Sequence, residues 1–142
     1  MTYLDRDFIY KKLELIDKYQ EPIVKLIDEG IADLKKDQIK LHAAERLLQL
    51  IVDTMIDINF HIIKQKAFKP SPDLEGTFSI LGQNGVLDGQ FAQKFAPVVG
   101  TRNRLVHRYE EIDTDLFLEN LQKNKDDFLE YARQIKTFVD KS

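Results

Sequence analysis

The chain has 142 residues, 43% hydrophobic and 32% charged, with 24 acidic against 21 basic side chains and a formal net charge of −3. That length suits one domain with a sizeable core, and the negative balance argues against coating nucleic acid by bulk electrostatics, so a bound anion must meet local positive charge. The lack of cysteine excludes disulfides, thiolate zinc sites and cysteine nucleophiles, and only three scattered histidines argue against a His-rich metal site.

With 6 Gly and 4 Pro the composition leans to helix. Between Phe8 and Leu34, apolar residues recur at Ile9, Leu13, Ile16, Ile23, Ile27 and Leu34, which predicts a long amphipathic helix or two stacked ones. Pro22 lacks a backbone donor, so a kink or short break is expected between Tyr19 and Pro22, with the end near Lys36. Asp37 then caps a second helix. From Gln38 to Lys66 there is no Gly or Pro, and apolar residues wrap most of the circumference, leaving a polar stripe at Arg46, Gln49, Asp53, Asp57 and His61. Such a helix is either the buried centre of a bundle or shared with a second subunit. In a chain this small the shared reading is favoured.

Phe68 to Asp88 reads as a mobile loop with a short helical piece around Thr77 to Leu81. Asp88 caps a helix through Phe91, Ala92, Phe95, Val98 and Val99, disturbed at Pro97, and helix continues to about His107. Asp113 caps a final helix marked by Leu118, Leu121, Phe128, Ala132, Ile135 and Val139, interrupted once at Lys125. The expectation is an all-α antiparallel bundle of four to five helices in a single domain spanning 1–142, with no strand. The early acids Asp5 and Asp7 argue against a signal or transit peptide, and no apolar run approaches the ~20 residues of a membrane span, so a cytoplasmic location is expected.

One stretch stands out chemically. From Gly89 through Tyr109 there is no Asp or Glu, while Lys94, Arg102, Arg104 and Arg108 surround His107. Six arginines and three histidines in this length would give an Arg-x4-His pair in about one chain in eight by chance, so the spacing alone decides nothing. Its company carries more weight: Asn103, two further arginines, and Tyr109 two places after the histidine. A histidine titrating near neutrality can move protons, and an arginine can meet charge developing on phosphate oxygens. RNA supplies its own 2′-hydroxyl nucleophile, so the set suits phosphodiester cleavage without metal or cofactor. Helical spacing should leave Arg102 and His107 within reach of each other across the intervening turns. One histidine per chain leaves either the base or the acid missing, and a two-fold dimer would supply the other.

Plainer readings stand beside this. Arg102 can be a helix-terminal cation or half of an ion pair, at about even odds from residue type, and His107 a structural histidine. His42 and His61 read as structural. Asp53, Asp57 and His61 have metal-ligand spacing, but a solvated or interface face is the commoner origin of such a stripe.

The segment Arg102-Asn103-Arg104-Leu105-Val106-His107-Arg108-Tyr109 resembles the signature of the HepT-like branch of the HEPN superfamily: arginine, a polar residue, then histidine, with tyrosine two residues on. The resemblance extends to Glu45-Arg46-Leu47-Leu48-Gln49, to Ile56-Asp57-Ile58-Asn59-Phe60-His61 and to Tyr109-Glu110-Glu111-Ile112-Asp113, covering about Gln38 to the C-terminus. It implies a homodimeric helical ribonuclease acting as the toxin of a toxin–antitoxin pair, with a minimal nucleotidyltransferase as antitoxin. It further implies Arg102 and His107 as catalytic residues, Asn103 as the supporting polar position, and Tyr109 as the site of AMPylation. Arg104 and Arg108, a bulky basic pair, depart from the plain signature and read as RNA or partner contacts. Two alternatives remain open, a non-catalytic HEPN module that regulates a nucleotidyltransferase and a purely structural helical dimer.

Overall fold

Four of the helix starts in this chain are set by aspartates placed one residue ahead of them. In the computed structural model, which describes residues 4–107 and 112–142, Asp5 accepts from the Phe8 amide at the start of α1 (Arg6–Glu29). Asp37 accepts from Ile39 and Lys40 ahead of α3 (Gln38–Gln65), after the short α2 (Ile31–Lys36). Asp88 does the same for α5 (Gly89–Phe95) and Asp113 for α7 (Thr114–Asn124). Each satisfies amides that the first helical turn leaves without partners. The remaining elements are α4 (Gly76–Gln83), α6 (Val98–His107) and α8 (Asp127–Lys141), so the described residues form eight helices.

The all-helical bundle agrees with expectation, and its segmentation corrects it. The predicted break near Pro22 does not occur, because α1 runs unbroken through that residue. Pro22 and Lys18, whose carbonyl loses its helical donor, both lie on the exposed side, where water can take over the bond. The break falls instead at Gly30, whose φ of 122° is open to glycine and strained for any other residue. The single C-terminal helix is likewise two, parted at Lys125 and Asp126. There α7 packs on α2 while α8 packs on α1, and Lys125 reaches across to Asp28.

Two antiparallel contacts fix the frame. The start of α1 meets the end of α3 where Asp5 donates its backbone N–H to His61 Nε2 (3.1 Å) and Lys12 pairs with Asp57 (3.0 Å), and the other ends meet through Glu29 and Lys40. Similarly, Arg6 and Tyr10 meet Ser142 and Asp140 at the end of α8, while Asp28 meets Lys125 just ahead of its start. One core takes side chains from every helix, among them Ile9, Ile16, Ile23, Leu34, Leu48, Met55, Phe78, Phe95, Leu121 and Phe128.

The course of α3 departs from the favoured reading. Leu41, Leu48, Ile51, Val52, Met55, Ile56, Ile58, Ile62 and Ile63 are all buried within one chain, so the helix is the centre of its own bundle. Its wide apolar face is covered by α1, α4 and α6 without a second subunit. At its centre lies a buried polar chain. Tyr131 donates to Asn59 Oδ1 (2.6 Å), with the Met55 carbonyl at 3.1 Å, and Asn59 Nδ2 donates to Thr77 Oγ1 (3.0 Å), which donates to the Leu74 carbonyl (2.7 Å). These bonds satisfy groups whose burial would otherwise be costly.

Candidate active site

Pro97 ends one helix and lets the next begin at Val98, as its missing donor and fixed φ favour. On α6 the buried side consists of Val98, Val99, Thr101 and Leu105, which dock the helix on the core. This docking leaves Arg102 and Asn103 half-buried and Arg104, Val106 and His107 exposed.

Arg102 is held from two sides. Its Nε donates to Asp53 Oδ1 at 2.6 Å and its Nη1 to Asn103 Oδ1 at 3.0 Å. The Arg102 side chain keeps 19% of its exposure and Asp53 35%, so the pair sits at the edge of the protein rather than inside it. Because Asn103 accepts through its oxygen, its amide nitrogen is left as a donor. Arg102 is therefore the ion-pair partner that the plainer reading allowed, and it also retains Nη2 as a charged donor beyond that pair.

The local charge is smaller than the linear sequence suggests. Lys94 lies 3.4 Å from Asp127 and Arg102 pairs with Asp53, so acids from α8 and α3 offset half of the four cations. Arg104 donates to Thr101 Oγ1 (3.2 Å) and forms no ion pair among the described residues. Arg108 and Tyr109, with the expectations placed on them, lie outside the described residues.

Arg102 and His107 share one helix but not one face. Five residues turn an α-helix by about 500°, leaving the two side chains about 140° apart around its axis. This corrects the expectation that helical spacing brings them together within a chain. Arg102 turns to α3, while His107 is exposed on the last turn.

The other candidates separate cleanly. Asp53, Asp57 and His61 have three different partners, Arg102, Lys12 and the Asp5 amide, and among the described residues no three metal-ligating side chains cluster. His42 bonds Glu45 one turn along (2.8 Å). Asp53 is the residue that sequence reasoning read only as part of a polar stripe. Its link to Arg102 spans 49 positions, and the one available signal was the absence of any acid within seven positions of that arginine.

Fold and site together define an all-helical protein that presents an oriented arginine and an exposed histidine on one edge helix. The chain belongs to the Ribonuclease HepT-like family, whose model matches residues 9–135. It is 34% identical over 140 residues to the tRNA nuclease HepT of Aphanizomenon flos-aquae, covering 98% of this chain and 95% of that one. The mRNA nuclease HepT of Shewanella oneidensis is 26% identical over 130 residues, covering 92% and 97%. Among solved structures, the tri-AMPylated Shewanella oneidensis HEPN toxin in complex with MNT antitoxin superposes with a TM-score of 0.84 at 26% identity, covering 93% of this chain and 98% of that one.

Proposed function

We propose that the chain, as one domain, is an endoribonuclease toxin that acts as a cytoplasmic homodimer, cutting RNA without a metal through Arg102 and His107. The observation that carries this reading is the fixed Arg102 guanidinium, anchored through Nε and Nη1 with Nη2 still available, on the helix that ends in exposed His107. A neutral histidine takes the proton of an RNA 2′-hydroxyl. The oxygen attacks the adjacent phosphorus, the bond to the 5′-oxygen breaks, and a protonated histidine returns a proton to that leaving oxygen. The phosphorane oxygens gain charge on the way, and Arg102 meets it from a preset position. Since Arg102 and His107 of one chain diverge by about 140°, two chains related by a two-fold axis supply both histidines at one cleft. Asn103 supports Arg102, and Arg104 and Arg108 contact the RNA.

The partner in this reading is a minimal nucleotidyltransferase antitoxin. It transfers AMP from ATP to the Tyr109 hydroxyl with release of pyrophosphate. The new phosphodiester sits two residues from His107, where it competes with RNA phosphate for the arginine donors. The similarity to a solved tri-AMPylated toxin bound to its antitoxin supports this.

Purified protein should cleave RNA in EDTA at undiminished rate, and Arg102→Ala or His107→Ala should abolish both cleavage and growth inhibition while circular dichroism stays native. Cleavage or toxicity that survives either substitution refutes the assignment. A second reading is favoured by one observation, the engagement of Arg102 with Asp53: the chain is a non-catalytic HEPN module that regulates its nucleotidyltransferase. It predicts no cleavage of any RNA and a tight partner complex retained in His107→Ala.

A further inference from the structure

On α3 the positions 53, 57, 60 and 64 fall within about 60° of one another around the helix axis and extend over about 16 Å. The stripe starts at the arginine site, because Asp53 holds Arg102. Its second carboxylate is also occupied, since Asp57 pairs with Lys12 at 3.0 Å. Phe60 follows, 43% exposed, and then Lys64, exposed and in no ion pair with a described residue. Ile39 and Phe60 are the large apolar side chains that α3 leaves exposed, and Phe60 is the one on the stripe that begins at the arginine site.

Beside Phe60 lies a groove whose walls include Leu74 and Glu75 from the loop before α4, and Val99 and Asn103 from α6. Asn103 belongs to both places. Its oxygen accepts from Arg102 and its amide nitrogen remains a donor on the helix that walls the groove. The groove is thus continuous with the arginine that meets the scissile phosphate. Its lining sets the apolar side chains of Phe60, Leu74 and Val99 beside an amide donor and two carboxylates, of which Asp73 already accepts from the Gly76 amide (2.6 Å) and Glu75 is exposed. That combination suits a planar heterocycle with hydrogen-bonding edges; the hydrophobic face of a partner helix would leave Glu75 and Asn103 without matching groups.

We propose that this groove is the base subsite of the nuclease. It holds the nucleobase next to the scissile phosphate, stacked on Phe60, with an exocyclic amine donating to Glu75, while Lys64 meets the following phosphate. Aromatic stacking accepts any base. The carboxylate then selects adenine, cytosine or guanine over uracil, which has no amine to donate. This inference rests on the nuclease reading above, and adds to it a substrate preference.

The test uses the full-length chain, a pool of random-sequence RNA with cleavage positions read by sequencing, and a 2′-O-methyl RNA pool that binds but lacks the nucleophile. Wild type should cut beside amino-bearing bases. Phe60→Ala should lower cleavage and 2′-O-methyl RNA affinity by about 5- to 100-fold, and Glu75→Ala should flatten the preference against uracil with a smaller loss. Both positions are exposed, and thermal unfolding checks that the fold is kept. An unchanged preference in both variants, with cleavage otherwise normal, overturns the subsite and leaves the nuclease reading intact. A wild type that cuts nothing, yet binds the 2′-O-methyl pool in a Phe60-dependent way, retains the subsite and overturns the nuclease. Binding indifferent to Phe60, or no binding at all, overturns the subsite. So does a halved particle mass in light scattering of Phe60→Ala, which would assign the groove to contact between copies of the chain.

Discussion

Asp53 Oδ1 accepts from Arg102 Nε at 2.6 Å, joining the central helix of the bundle to the helix that carries the candidate chemistry. An arginine on an edge helix has four rotatable bonds, and one carboxylate on Nε fixes the direction of the remaining donors. In the proposed mechanism Asp53 is therefore a positioning residue, acting on substrate through Arg102. Asp53→Ala should reduce kcat for RNA cleavage by about 10- to 100-fold, the usual cost of a misplaced charged donor, with KM changed far less. Asp53→Asn keeps an oxygen acceptor and should recover much of that loss. Equal kcat values for the Ala and Asn variants would show that the contact serves stability alone.

His61 links the start of α1 to the end of α3 in a pH-dependent way. Its Nε2 accepts the Asp5 backbone N–H and its ring stacks on Phe8 at 4.7 Å. Burial lowers its pKa below the ordinary value of about 6.5; the Asp5 carboxylate opposes that shift and Lys64 adds to it. Lys12 and Asp57 line the same surface. Since the folded value is the lower one, the unfolded chain binds the proton first as pH falls below about 6.5, and stability drops from there towards the folded pKa. Above that range the contribution is complete. Urea midpoints measured at about pH 7.5 and 5.5 should fall further for wild type than for His61→Gln, which keeps an acceptor but cannot titrate.

Local grammar was legible and distant geometry was not. Asp37, Asp88 and Asp113 are read as caps from the sequence and cap their helices in the structure, since capping depends on residues at most three positions apart. The segment Val98 to His107 is equally local. Asp53 could not be paired with Arg102 by any short-range rule, and the burial of α3 inside one chain depended on how closely α1, α4 and α6 wrap it. Pro22 misled for a related reason: its cost depends on which side of the helix faces water, and that is decided by packing.

That cost is still present in the folded chain and can be recovered. Pro22→Ala removes the ring and restores an amide donor to the Lys18 carbonyl in the middle of α1, at an exposed position. Proline is about 3 kcal/mol worse than alanine inside a helix, offset in part by the greater entropy of the unfolded alanine chain. The variant should gain about 1–2 kcal/mol in urea unfolding with an unchanged m-value. A loss would mean that the proline ring has a packing role on the surface of α1.

The buried chain from Tyr131 through Asn59 to Thr77 predicts an asymmetry between two substitutions. Burial raises the pKa of the Tyr131 hydroxyl well above the ordinary value, so it is a donor at neutral pH. Tyr131→Phe removes that donor and leaves Asn59 Oδ1 and the Met55 carbonyl, the latter still in its helical bond, for a loss of about 1–2 kcal/mol. Asn59→Ala removes the middle member, deprives both neighbours of a partner and opens a cavity between α3, α4 and α8, for a loss of about 3 kcal/mol or more. In the double variant the hydroxyl is no longer present to be stranded, so its loss should be smaller than the sum of the two single losses. Additivity in that cycle would mean that the two side chains stabilise the core independently, through packing and not through the bond between them.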